Sequence, residues 1–405
     1  MCGLALRTAA PPPAPGALPA TMPAACTGCL LHDAGIPAHC PRCGYELKSA
    51  TGGAGWLGRM RCALRHWIRP AGAGLILLAV SISTGAFAAS ATETPVSRSR
   101  FLMGTLCEAA AYGEGAGPAI EAAFNEMARL EQILSDYRDD SELTGLNQRA
   151  GSGPVACSTD LFEFLSEAVR HSRDTGGAFD ITVGPLMRVW DLRGRGRLPS
   201  TGEIASALRL TGWSRIELDA GSGMVSLPPG MSLDPGALGK GFALDAAARV
   251  LRERGIRSAL LDFGGQVLAL DPPPGATAWE VDVAHPLRRD MAAVTIHVRN
   301  VSVSTSGNSE RGVHVIDPRT GQPVHGPRSA TVISPNAAQA DALSTALLVM
   351  GPNDGLAWAA SREGIAALYL EPADNDTLLM QATDSFTGYN PSWIPRAGSH
   401  NHRRN

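Results

Sequence analysis

The sequence reads as an α+β protein, a largely antiparallel sheet with helices packed against it. Trp279–Ala284 and Ala293–Ser304 alternate apolar and polar residues, the period of strands with one buried face. Arg215–Leu227 carries Gly221-Ser222-Gly223 at its centre, a hairpin signal. Between such runs lie segments whose apolar residues recur at helical spacing. No internal repeat is visible, so both kinds of element belong to one mixed fold.

In chain order, Arg100–Ala111 reads as a strand carrying Phe101-Leu102-Met103-Gly104-Thr105. Pro118–Ser135 is an amphipathic helix with Ile120, Ala123, Phe124, Met127, Leu130, Ile133 and Leu134 on one face, and Pro118 suits its first turn. Ser158 caps a second helix, Thr159–Thr175, with Leu161, Phe162, Leu165 and Val169 inward. Ser200-Thr201-Gly202-Glu203 is a capping box. Leu233–Gly241 feeds a helix with Leu244, Ala247, Ala248 and Leu251 on one face, stopped by Gly255. Ser258–Phe263 is a buried strand ending in Gly264-Gly265; Ala337–Met350 is a helix, Ile365–Leu370 a late strand, and the tail after Tyr389 reads as unstructured.

With 405 residues there is ample material for a core, and 44% apolar against 18% charged residues is a globular balance. A net charge of −3 without a long basic block argues against nucleic acid as a partner. Six of the eight cysteines precede residue 63, leaving Cys107 and Cys157 for the body, which is therefore not a disulfide scaffold.

The first hundred residues divide in two. Residues 1–58 hold a Pro/Ala stretch followed by Cys26-x-x-Cys29 and Cys40-x-x-Cys43, four thiolates spaced for a structural zinc ribbon. Residues 59–89 place Arg59, Arg61, Arg65, His66 and Arg69 before the apolar run Ala71–Ala89, which ends Ala86-Phe87-Ala88. That is either a secretory signal peptide or an inner-membrane anchor, and both export the rest of the chain to the bacterial periplasm. Because a signal begins a chain, translation from Met60 and a true fusion are the two readings of this order.

Several residues can carry chemistry. Asp341 and Thr345 share a helical face and suit Mg²⁺, although an Asp near a helix start also serves the helix dipole. Asp234-Pro-Gly-Ala237-Leu-Gly-Lys240-Gly241 is either a phosphate-binding strand-to-helix turn or simply a tight one. Phe179 either stacks or packs, and Asp180 either binds a ring or caps a turn. His314, between Val313 and Val315, is an acid/base candidate or a structural histidine. Its stretch, Val301–Pro323, crowds Ser302, Ser304, Thr305, Ser306 and Gly307 ahead of Glu310-Arg311 and the turn Asp317–Gly321. No G-x-S-x-G elbow supports a hydrolase triad.

Taken in order, these stretches resemble the exported ApbE-type FAD:protein FMN transferases. The resemblance rests on Met103-Gly-Thr105, Leu134-Ser-Asp-Tyr137 with Ser141-Glu-Leu143 and Asn147, Gly177–Leu186 with Trp190, Leu233–Gly241 with Asp245, Asp262-Phe-Gly-Gly265, Ser304–Gly307 with Glu310-Arg311, His314–Pro323, and Ala340-Asp341 with Ser344-Thr345. It covers residues 98–390, with a disordered tail over 391–405.

The resemblance implies FAD contacts from Met103, Tyr137, Ala178, Phe179, Asp180, Asp234, Lys240 and the backbone at Val315. It implies Mg²⁺ held by Ala237 (carbonyl oxygen), Asp341 and Thr345, catalysis by His314 and Asp341, and a site at the junction of two subdomains. The implied reaction moves FMN from FAD onto a Thr or Ser of an exported acceptor flavoprotein and releases AMP. Ser309 departs from the family's frequent Tyr, and the cysteine module lies outside its pattern. An FAD pyrophosphatase, a non-catalytic envelope flavin-binding protein and a zinc-dependent membrane protein are the competing readings.

Overall fold

The computed structural model describes residues 94–307, 315–326, 328–373 and 377–394. The cysteine quartet Cys26, Cys29, Cys40 and Cys43, the run over 59–89 and His314 lie outside the described residues.

The body opens with a hairpin, β1 (Val96–Leu102) and β2 (Thr105–Ala111). The single strand expected over Arg100–Ala111 is two strands, because Met103 and Gly104 take φ of 44° and 76° and reverse the chain. Consecutive positive φ values make the two-residue turn whose twist suits flanking strands. Helix α1 (Ala116–Leu134) buries the predicted stripe, including Phe124 and Met127, except Ile133, which is partly buried. Ser141 caps α2 (Glu142–Gln148), and β3 (Val155–Ala156) leads into α3 (Thr159–Asp174), capped by Ser158 as the sequence predicts. Its fully buried aromatic is Phe164, edge-on to Phe242, whereas Phe162 is only partly buried.

Next come α4 (Gly184–Val189) and α5 (Thr201–Leu208), the latter opened by the Ser200–Glu203 capping box. The hairpin of β4 (Glu217–Asp219) and β5 (Met224–Ser226) turns where expected. The chain then forms α6 (Gly239–Glu253), β6 (Ala259–Phe263), β7 (Gln266–Ala269), β8 (Trp279–His285) and β9 (Arg288–Val298). The expected strand Ala293–Ser304 is broken: Asn300 takes φ 51°, ending β9 and starting β10 (Val301–Gly307) in another sheet. The chain continues through β11 (Ser329–Ser334), α7 (Ala337–Met350), α8 (Pro352–Ala360), β12 (Ala366–Pro372) and β13 (Leu378–Ala382). The tail is not wholly irregular, for β14 (Ser392–Trp393) pairs with β9.

The main sheet has eight strands in the order β1-β2-β6-β7-β10-β11-β12-β13, every neighbour antiparallel. Strand β10 shows how its two faces are used. Val301 and Val303 pack with Val281, Val283, Val294 and Ile296 of the small sheet β14-β9-β8. Ser304 and Ser306, of the opposite parity, turn to α7 and meet Ser344. Alternation along one strand thus places an apolar seam on one side and hydroxyls on the other. The largest core joins α1, α3, α6 and part of α7 to β2 and β6.

Candidate functional site

The site is organised by the contact between α6 and α7. Gly241 sits so close to the start of α7 that a Cβ there would stand 2.2 Å from the Ala337 carbonyl oxygen. Only a residue without a side chain permits that approach. Asp245, one turn on, accepts the Ala337 and Ala338 N–H groups at 2.9 and 2.8 Å, and Asn336 caps Gln339 N–H at 2.7 Å. The orphan donors of α7 are therefore satisfied inside the protein. Burial pushes the Asp245 carboxyl up, opposed by the two N–H donors.

This junction places Asp341, which is buried, against α6. One oxygen accepts Gly241 N–H at 3.0 Å; the other lies 3.4 Å from the Lys240 ammonium. Because Gly241 N–H goes to Asp341, it does not return to the Ala237 carbonyl, and among the described residues no hydrogen bond to that carbonyl is formed. Thr345, one turn beyond Asp341, has its hydroxyl 3.1 Å from Ser306 Oγ, which is 2.8 Å from Ser344 Oγ. The donor set of carboxylate, hydroxyl and carbonyl is all hard oxygen. It fits a small divalent cation, and among the described residues the buried carboxylate meets, besides the Gly241 N–H, a single cation at 3.4 Å.

Beside it, Asp234 precedes the turn into α6. Its Oδ1 accepts Gly236 N–H at 2.9 Å, and its backbone N–H donates to Ile181. Asn147 grips Leu233 through both amide atoms, at 2.7 and 3.0 Å. Asp234 Oδ2 accepts from Arg193 at 2.6 Å, and the same guanidinium nitrogen donates to Asp136. That guanidinium lies over the Tyr137 ring, 4.5 Å from its centroid. Burial pushes the Asp136 carboxyl up and Asp234 does the same, with Arg193 opposing.

Ala178 and Phe179 are core residues, Phe179 edge-on to buried His171. Asp180 is spent internally: Oδ1 accepts Thr182 N–H and hydroxyl at 2.8 and 2.7 Å, and Oδ2 accepts Trp213 N–H at 3.0 Å. Burial raises its carboxyl above the usual range, against those bonds. Its side chain builds the loop, whose residues 177–180 are buried and whose Gly177, Ala178 and Phe179 N–H groups donate to Ser172 and Thr175. Val315 is buried and pairs with Val324, and Gly321, at the far end of that turn, is held by Trp190 Nε1 at 2.9 Å. Met103 is partly buried at the tip of the β1–β2 hairpin.

The structure therefore brings Lys240, Asp341, Thr345 and Ser306 together, and joins Tyr137 to Asp234. Sequence reasoning missed Arg193 and gave Asp136 no role. The available signal was a run of arginines and glycines, Arg193-Gly-Arg195-Gly-Arg197, directly after Trp190.

A family model described as "ApbE family" matches residues 103–369. A relative from Treponema pallidum called FAD:protein FMN transferase is 33% identical over 326 residues, spanning 73% of this chain and 90% of the relative. One of the same name from Haemophilus influenzae is 30% identical, spanning 75% and 93%. Among solved structures, the flavin transferase ApbE from Vibrio cholerae superposes with a TM-score of 0.66 at 28% identity, covering 73% of this chain and 99% of that one. The apo flavinyl transferase ApbE of Pseudomonas stutzeri gives 0.65 at 27% identity, covering 74% and 98%. A family model over residues 103–369, relatives matched along nearly their whole length and a matching fold place this chain in the ApbE family.

Proposed function

We propose that the chain transfers FMN from FAD to a Thr or Ser hydroxyl of an exported acceptor flavoprotein and releases AMP. The relatives' names support the reaction. The observation that carries the site is the buried Asp341 carboxylate facing Lys240, with Thr345 one turn away. In the transfer, the acceptor oxygen bonds to the FMN phosphorus, the bond from that phosphorus to the AMP oxygen breaks, and AMP leaves with the electron pair. Positioning and charge neutralisation dominate such steps. Lys240 offers a cation to the diphosphate. Tyr137, Asp234 and residues 178–180 orient the dinucleotide, and β10 holds its hydroxyl row beside Asp341. His314 is assigned to accept the proton of the acceptor hydroxyl. Asp341, Thr345 and the Ala237 carbonyl would hold Mg²⁺, which supplies charge neutralisation at the diphosphate.

The test uses the full-length chain with FAD, Mg²⁺ and a flavoprotein domain bearing an acceptor Thr. Covalent flavin on the acceptor and stoichiometric AMP are expected, both lost in Asp341→Ala. AMP without labelled acceptor would move the assignment to FAD pyrophosphatase; bound FAD without AMP would make the chain a flavin-binding protein. We further propose that Cys26, Cys29, Cys40 and Cys43 hold a structural Zn²⁺ and that residues 71–89 direct the body to the periplasm or anchor it in the inner membrane. Metal analysis and protease accessibility in spheroplasts check these; no zinc, or a protected body, would overturn them.

A further inference from the structure

Arg193 reaches out of the loop after α4, and its surroundings are unusual for a surface arginine. One nitrogen donates to both Asp136 and Asp234, carboxylates whose side chains are only 10% and 8% exposed. They come from distant parts of the chain, one after α1 and one before α6. Among the described residues, the charged or titratable groups facing Arg193 are Asp136, Asp234 and Tyr137, so it is the sole cation there in a cluster that holds two carboxylates. Tyr137 is 77% exposed, yet its ring is fixed by the guanidinium across it.

Physical chemistry assigns this cluster a task. Two carboxylates within reach of one nitrogen repel each other and hold down the local potential. FAD brings a dianionic diphosphate. Without the guanidinium, the pocket side formed by Tyr137 and Asp234 would present two negative charges to a negative ligand. A planar guanidinium can also satisfy carboxylates at its edge while stacking through its face, which a lysine ammonium cannot do.

We infer that Arg193 is a positioning and charge-compensating residue of the dinucleotide site, fixing Tyr137 and Asp234 and cancelling the aspartate pair so that an anionic flavin nucleotide can enter. This rests on the transferase reading of the site. The residue does not touch the reacting phosphorus; it sets the orientation and charge of the groups that do the binding. Loss of the cation therefore raises the KM for FAD far more than it lowers kcat. Neutralising one aspartate is expected to restore affinity, and the split between a raised KM and a little-changed kcat is what separates this role from a merely structural ion pair.

The test is FAD binding and steady-state transfer by the full-length chain as wild type, Arg193→Met, Arg193→Lys and the double variant Asp136→Asn/Arg193→Met. Arg193→Met is expected to weaken FAD binding on the order of ten- to hundredfold, with kcat at saturating FAD changed much less. The lysine variant should recover part of the affinity and the double variant most of it. Wild-type affinity in Arg193→Met, or a double variant no better than the single one, overturns the inference while leaving the transferase reading intact. A wild-type chain that does not bind FAD overturns both. If Arg193→Met does not fold, the lysine and double variants measured against wild type decide the same question.

Discussion

The Gly241 N–H group donates to the Asp341 carboxylate at 3.0 Å, across the interface of two helices. A helix N–H ordinarily returns to a carbonyl of its own chain segment; here it fixes a buried acid supplied by another helix. The bond exists because Gly241 lacks a side chain and lets the helices touch. Replacement by alanine forces the new methyl into the Ala337 carbonyl. Gly241→Ala is expected to cost about 3 kcal/mol of stability and to abolish transfer, as read by denaturant melts and flavinylation. A stable, active variant would show that the helices separate at little cost.

Asp341→Asn keeps an oxygen for Gly241 and removes only the charge. Its stability should change little, while Mg²⁺-dependent transfer falls on the order of 100-fold. Isothermal titration with Mg²⁺ and FAD should show lost metal affinity. Unchanged metal dependence would move the metal away from Asp341.

Asp245 satisfies two buried N–H groups at the start of α7. Asp245→Ala strands both and should lower stability by about 2 kcal/mol. The frayed first turn should also loosen Asp341, so KM for Mg²⁺ rises. A thermal melt indistinguishable from wild type would refute this.

His171 is buried, its Nε2 has no partner among the described residues, and burial, then Arg170, lowers its pKa from 6.5 to about 4. The native state therefore favours the neutral ring. The unfolded chain takes up a proton near its ordinary value and the native chain does so only lower. Stability from this group is fully present above about pH 6.5 and is lost as pH falls towards 4, by about 3 kcal/mol in all. Buried Asp136, Asp180 and Asp245 have raised carboxyl pKa values and act in the opposite sense. They are common to wild type and His171→Leu, so the difference between the two melts at pH 7 and pH 4.5 isolates the histidine. Parallel profiles would remove it as the source.

Much of this was legible in the sequence because it is local. The Ser158 and Ser200 caps, the α1 stripe and the 337–350 helix arise from patterns within a few residues. The breaks at Met103 and Asn300 were missed because both are non-glycine residues at positive φ, which nothing in the alternation marks. The site divides in the same way. Asp341 and Thr345 announce themselves by spacing on one helix. Asp180 reads as either a ring-binding acid or a turn cap; it accepts from Thr182 two residues on and from Trp213, which comes from a distant turn that local sequence does not reveal. Arg193 lies in an arginine–glycine run that singles out none of its arginines, and its meaning arises only when folding sets it between two aspartates.

Helix α7 is enclosed: Ala338, Ala342, Leu343, Ala346, Leu347 and Leu348 are buried in different directions, against α6, β10, β11 and β12. Its amides can exchange with solvent only when most of the domain opens, so it should be among the slowest to take up deuterium. The Asp191–Arg197 loop is held by a few bonds around Asp191 and should exchange by local opening. The two segments are thus expected to exchange in different regimes, α7 with the opening of the domain and the Asp191–Arg197 loop by its own local opening.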